Sequence, residues 1–506
     1  MDESINEKLA LARSHGRGIF LVDPEQKNAL IKKALEPNGD IKHADFKREL
    51  KTLIYNKPDV TTIDYEMKWK DHKKEDFPST THELAFDMVN GFDEDYVYVS
   101  GMTMNMVARV NKTDPTSQTL FLFPRRTEKN GNRVDAQPHT IAFANTKSDD
   151  LKGKVWVGLE EQGLIVKLDM NTVLKKYQND VKNDRVIKLT EADYETTYDV
   201  RITGDNIPTP INTRPHGFCF DHGCKNIWFT GKLTNTVGRI KVDGSEKEIA
   251  GSLQHFELPT LGAVPIYVAL GPDKNIWGTS LANSTIFRVT TGENPIVDEV
   301  TITGTSENRR PIAIKPDPRP NMPFMWFSNE AGHSVCRLDT KAFELHSKKK
   351  ENADGKGSKC QCSSGCKYLF RGSKFVNEVI TEFPIPKINH HMLLGGLAIT
   401  KEGAIWTQSY IAAGENLVAD LPDYILKLRF DKHYPTGRGG RVNITGMPIE
   451  YYELPTKNTT LHRISVAPDK KESVWFTLLA ADRLGTIEFE EEGKVDESKT
   501  NKRQRK

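Results

Sequence analysis

Four histidines open four look-alike segments: His82 in "TTHELAF", His139 in "QPHTIAF", His216 in "RPHGFCF" and His462 in "TLHRISV". Imidazole is the side chain that most readily serves near neutral pH as a general base or as a metal ligand. Converging imidazoles suit zinc or another transition ion better than magnesium, which prefers oxygen donors. A single histidine at such a place is adequately explained by a structural hydrogen bond or by channel water. Four of the chain's 14 histidines at one equivalent position point instead to a site.

What must position them is a repeat. "DYVYVSGMTMNMVARV" places Tyr98 eleven residues before Arg109. The same spacing separates Trp156 from Lys167, Trp228 from Arg239, Trp277 from Arg288 and Trp326 from Arg337. A sixth copy holds Trp406 and resumes after an insertion at "YILKLRF", and a seventh holds Trp475. Each copy reads as a short apolar strand, a turn, a Trp strand, a polar turn and a Gly-Arg-Ile type strand. Several add a further strand, as in "QHFELP", "ITEFPIP" and "IEYYELP". About seven such units predict an all-β, seven-bladed β-propeller of four-stranded antiparallel blades. The first strand of a blade is innermost, so the residue opening it lies at the mouth of the central channel. The other three copies place Ile266, Ile312 and approximately Gly395 there. Four consecutive blades then carry histidine, counting the seventh as neighbour of the first.

The seventh copy lacks an outer strand, and "VTTIDYEMKW" has the alternation to supply it. Residues 58–490 are therefore expected to form the propeller, with 58–70 closing the last blade. Residues 1–57 carry helical apolar spacing and read as a small helical N-terminal extension. Residues 491–506 read as a disordered charged tail. A net charge of +2 gives no bulk drive toward nucleic acid or membrane. No signal-peptide core is present in "MDESINEKLALARSHGRG", so an intracellular, soluble monomer is the expectation. Cys360, Cys362 and Cys366, in "CQCSSGC", could join Cys336 as thiolate ligands to zinc; free surface thiols are the alternative.

The segments "RPHGFCF", "NIWFT" and "NTVGRI", followed by "QHFELP", resemble the streptogramin B lyase (virginiamycin B lyase) family over about residues 60–490. That resemblance implies a seven-bladed propeller and a magnesium-dependent elimination that opens a cyclic depsipeptide at its ester bond. It implies a histidine base, a second Pro-His histidine on the adjacent blade, and two glutamates on the base's blade. One glutamate lies two residues before the histidine and the other four after the Trp. With His216 as base, those positions hold Arg214 and Lys232; with His139, they hold Gln137 and Glu160. Glu330 also lies four after its Trp, on a blade without a channel histidine. The resulting expectation is a lyase-like enzyme with His139 and His216 catalytic. His82 and His216 would hold substrate, and Glu160, His82, His139 and His462 would hold a divalent metal. The ion would be magnesium by resemblance or a transition metal by the histidine ring. A small-molecule substrate or a protein partner would dock at the channel mouth. The alternatives are a non-enzymatic scaffold and a metal-binding relative with different chemistry.

Overall fold

The computed structural model describes residues 60–489, except 73–79, 129–130, 205–206, 303–308, 345–378, 387–391, 412–422, 432–439, 443–448, 457–458 and 470–472. The expected N-terminal extension, the Cys360–Cys366 cluster and the charged tail lie outside the described residues. Seven antiparallel sheets form a propeller. Their innermost strands are Thr81–Ala85, Pro138–Phe143, Pro215–Phe220, Pro265–Leu270, Pro311–Pro316, Met392–Ile399 and Leu461–Val466, which open blades 1 to 7 in that order.

The eleven-residue spacing is a cross-strand register. Trp228 faces Arg239, Trp156 faces Lys167, Trp277 faces Arg288 and Trp326 faces Arg337 across the second and third strands. The cation lies over the indole, with Arg239 5.3 Å from the Trp228 ring and Lys167 5.8 Å from that of Trp156. Each aromatic is buried in a cluster shared between its own blade and the next one. Trp228 joins Ile276 and Phe287 of blade 4, and Trp277 joins Met325 and Phe327 of blade 5. Trp475 joins Val97 and Val99 of blade 1, which carries the packing around the ring. The glycine of the "GRI" strand has a packing cause as well. A Cβ on Gly238 would stand 1.9 Å from Cζ of Phe229, its cross-strand partner.

Each innermost strand begins irregularly. The residue ahead of it is left-handed in five blades: Gln137, Arg214, Val264, Arg310 and Thr460, with φ between 46° and 55°. Such conformations cost about 1–3 kcal/mol each in non-glycine residues, so surrounding contacts must hold them. They do: the carbonyls of Gln137, Arg214, Val264, Arg310 and Thr460 accept the N–H of Glu160, Lys232, Leu281, Glu330 and Leu479. A register shift follows at once in every blade, as between Pro138 and Ile141. Bulges of this kind re-aim side chains, and here they set the channel-mouth position. Hydroxyls then tie blades together at that level. Ser100 Oγ donates to the His139 carbonyl, Thr140 Oγ1 to that of His216, and Thr477 Oγ1 to that of His82.

The ring closes between the two ends of the described chain. Val60–Glu66 pairs antiparallel with Arg483–Phe489, with Val60 opposite Phe489. Asp482 Oδ1 accepts the backbone N–H groups of Thr80 and Thr81, joining blade 7 to blade 1. Two blades depart from four strands. Ile187–Lys188 adds a parallel strand to blade 1, and Gly440–Arg441 adds one to blade 5. Both belong to insertions and pair with the outer strand of their blade. No helix among the described residues is long and apolar enough to cross a membrane.

Candidate functional site at the channel mouth

The register and bulges bring the four histidines into one arc. Ring centroids are 3.9 Å apart for His462 and His82, 4.1 Å for His82 and His139, and 3.8 Å for His139 and His216. None is more than 5% exposed. Burial holds all four imidazoles well below the usual histidine range, and the guanidinium of Arg463 acts in the same direction on each. They are neutral bases with lone pairs to offer.

Hydrogen bonding decides where those lone pairs point. His216 Nδ1 lies 3.0 Å from the Ile266 carbonyl, which can only accept. Nδ1 therefore carries the proton and Nε2 the lone pair. Thr140 donates its hydroxyl to the His216 carbonyl, so its oxygen accepts from His139 Nδ1 at 3.3 Å. His139 Nε2 is left as an acceptor with no donor, and 3.9 Å away stands Glu160 Oε2, also without one. Two buried acceptors facing each other repel unless a cation or proton lies between them. His82 has no hydrogen-bond partner at either ring nitrogen.

The two positions that the lyase resemblance assigns to glutamate meet through a backbone hydrogen bond in each blade. On blade 2 they are Gln137 and Glu160, and on blade 3 Arg214 and Lys232. Lys232 Nζ lies 3.1 Å from Glu160 Oε1, and Arg214 is paired with Glu161. One carboxylate is present, and one of its oxygens is already taken by an ammonium. Magnesium asks for a largely oxygen, near-octahedral shell, and this donor set does not fit it. The set does fit a zinc-class ion. Ligand atoms of His139, Glu160 and His216 lie within 4.8 Å of one another. His216 is oriented by a carbonyl and Glu160 by Lys232, the outer support that metal ligands characteristically have. His82, Glu83 and His139 form a second such group. Glu83 is less free, because Arg463 Nε donates to its Oε2 at 2.9 Å and Tyr267 OH donates at 3.1 Å.

Glu83, Arg463 and Tyr267 were not singled out in the sequence, yet they define the site's floor. They occupy the residue after the channel-mouth position on blades 1, 7 and 4. The Arg463 guanidinium lies 4.6 Å from the Tyr267 ring centroid, and Nη1 donates to the His462 carbonyl at 3.2 Å. A polar bar thus crosses the channel directly beneath the arc. The signal was available in the column "E, T, G, Y, A, G, R" beside the histidine column, where three functional side chains stand among four small ones. Glu330 is placed differently. It is buried, ion-paired with Arg310 at 2.8 Å and accepting from Tyr410 OH at 2.6 Å, as a blade 5 to blade 6 link.

No known family profile matches the chain, and no curated protein matches it in sequence. Solved structures match in fold. A streptogramin B lyase structure has TM-score 0.51 at 17% identity, covering 85% of this chain and 98% of that one. Virginiamycin B lyase from Staphylococcus aureus has TM-score 0.50 at 18% identity, covering 85% and 100%. A catalytically inactive variant of that enzyme with quinupristin matches equally, at TM-score 0.50 and 17% identity. These likenesses show the propeller architecture.

Proposed function

We propose that this chain is a metal-assisted carbon–oxygen lyase that opens an ester of a cyclic substrate, with a zinc-class ion at His139, Glu160 and His216. One observation carries the reading: His139 Nε2 and Glu160 Oε2 face each other at 3.9 Å, buried and without donors, beside a His216 whose tautomer is fixed. A bound ion would polarise the ester carbonyl and offset developing negative charge. His82 is the base, rather than His139 or His216, because both of its ring nitrogens are free and burial keeps it neutral. It takes the substrate proton; the electron pair forms a carbon–carbon double bond, and the C–O bond breaks with the carboxylate leaving. His462, packed 3.9 Å from His82, fixes that ring's orientation. Lys232 keeps Glu160 turned toward His139.

Substrate contact is supported by a cavity of about 440 Å³ on the mouth face, lined by Met104, Met106, Phe123, Arg125 and Arg133. It adjoins Asn105, whose Oδ1 accepts the N–H of Gln137, two residues from His139. The test is incubation of the zinc-loaded protein with a cyclic depsipeptide lactone. Elimination gives a linear product of unchanged mass with a new double bond. A product heavier by one water, or no product, contradicts the reading. Exposed Leu233 (64%) and Leu261 (87%) on the same face favour a second reading, a scaffold that holds a protein partner. A Leu233→Glu/Leu261→Glu variant that loses partner capture, from a protein that never opens lactones, would support it.

A further inference from the structure

Away from the channel mouth, blade 3 breaks the electrostatic pattern of its neighbours. The cation that faces the blade's aromatic has a carboxylate partner in blades 1, 2 and 4. Arg109 pairs with Asp93 at 2.7 Å, Lys167 with Glu195 at 3.1 Å, and Arg288 Nε with Asp298 at 3.1 Å. In blade 3 the outer-strand position opposite Arg239 holds Gln254, where blade 4 has Asp298 opposite Arg288. Arg239 Nε donates to Gln254 Oε1 at 3.1 Å and Nη1 to the Gly292 carbonyl at 2.9 Å, both neutral acceptors. Among the described residues no carboxylate stands within ion-pair distance of Arg239. Burial lowers its guanidinium, and Asp221, which is occupied with the N–H groups of Lys225 and Asn226, opposes that only in part.

Arg239 opens onto a cleft of about 560 Å³ between blades 3 and 4. The cleft lies where the blade's second strand begins, at Asn226, and its third ends, at Lys241, hence on the face opposite the channel mouth. Lys241 is two residues beyond Arg239 on the same face of that strand. The helix Glu246–Gly251 and the blade 4 turn at Thr291, Gly292 and Glu293 supply the other walls. Several polar groups here are already engaged. Glu248 Oε2 accepts from Ser245 N and Oγ, Ser252 Oγ donates to the Ile249 carbonyl, and Thr291 Oγ1 donates to the Lys274 carbonyl. Lys241 and Glu293 are exposed and have no ion-pair partner among the described residues.

We propose that this cleft binds a peptide segment of a partner protein, with Arg239 and Lys241 holding an aspartate or glutamate side chain of that segment. The ligand carboxylate takes the role that Asp298 fills in blade 4. The guanidinium hydrogens not given to Gln254 and Gly292 suit it. The volume is in the range of small-ligand sites and exceeds what one carboxylate needs. No lining side chain is apolar, which disfavours a lipid or aromatic ligand. Two cations beside Glu293 select a ligand of both signs, which a peptide can carry and a sugar acid cannot. The histidine centre, at the other end of the blades, is not involved.

The experiment titrates the full chain into fluorescein-labelled Gly-Lys-Asp-Lys-Gly and follows anisotropy. The parent is expected to bind this peptide at least about tenfold more tightly than Gly-Lys-Asn-Lys-Gly, the effect of one charge-assisted hydrogen bond. Arg239→Met should weaken the Asp peptide by a similar factor. Gln254→Asp should do the same while raising the unfolding temperature, because it supplies the missing carboxylate within the chain. That combination separates an occupied site from a damaged fold. Equal affinity for the Asp and Asn peptides, or no binding of either, overturns the proposal. So does unchanged binding by the Arg239→Met or Gln254→Asp protein. Tighter binding of a phosphoserine peptide than of the Asp peptide overturns the carboxylate assignment.

Discussion

The ammonium of Lys232 stands 3.1 Å from Glu160 Oε1, across the boundary between blades 2 and 3. Both residues lie four positions after a blade's tryptophan, so the propeller repeat itself makes them neighbours. The pair balances a buried carboxylate and leaves its second oxygen aimed at His139. Replacing Lys232 with Met leaves Glu160 buried and unpaired, which typically costs about 3–5 kcal/mol. The metal-free variant should therefore unfold at markedly lower urea concentration than the metal-free parent, and zinc should stabilise it less than it stabilises the parent. Its zinc affinity should fall about 10–100-fold, the usual effect of removing an outer support. Urea titrations with and without zinc check both; an unchanged zinc affinity would remove Lys232 from the account.

Beside the strand pairing that closes the ring, one carboxylate oxygen joins blade 7 to blade 1. Asp482 Oδ1 accepts from Thr80 N at 2.6 Å and Thr81 N at 3.2 Å, and Asp482 itself is left-handed at φ 51°. Asp482→Ala strands two buried donors, at about 1–3 kcal/mol each. Asp482→Asn keeps an acceptor and should cost less. Chemical denaturation of the three proteins should rank them in that order.

Acid sensitivity has one contributor away from the channel. Burial lowers His255 to about 4, from 6.5. Above pH 6.5 the ring is neutral in folded and unfolded chains alike. Below it, the unfolded chain binds a proton that the folded chain refuses until about pH 4. Stability therefore falls as pH drops through that window, by ~3 kcal/mol in full. His255→Phe should lose this increment. Unfolding free energies measured at pH 7 and pH 4.5 should differ less in the variant than in the parent, and an equal difference would contradict the assignment.

The fold was legible because its cause is periodic. An eleven-residue gap between an aromatic and a cation is what a Trp strand and its antiparallel neighbour produce, and each Trp repeats because each must pack between its own blade and the next. The histidine column was legible for the same reason. What the sequence concealed are contacts between columns. Nothing along the chain announces that Tyr267 on blade 4 donates to Glu83 on blade 1, since only ring closure across the channel brings them together. Lys232 looked like a lost carboxylate; in three dimensions it is the partner of the one that remains. The tautomers of His139 and His216 are set by Thr140 and by the Ile266 carbonyl, which are visible only once blades are stacked.

The central claim is that His139, Glu160 and His216 hold one transition-metal ion. The direct measurement is the metal content of the purified chain after zinc loading and dialysis, beside that of a His139→Ala/His216→Ala variant shown to be folded. The account predicts one zinc-class ion per parent chain, no retained magnesium, and none of either in the variant. Equal content in the two proteins, or magnesium retained in preference to zinc, would contradict it.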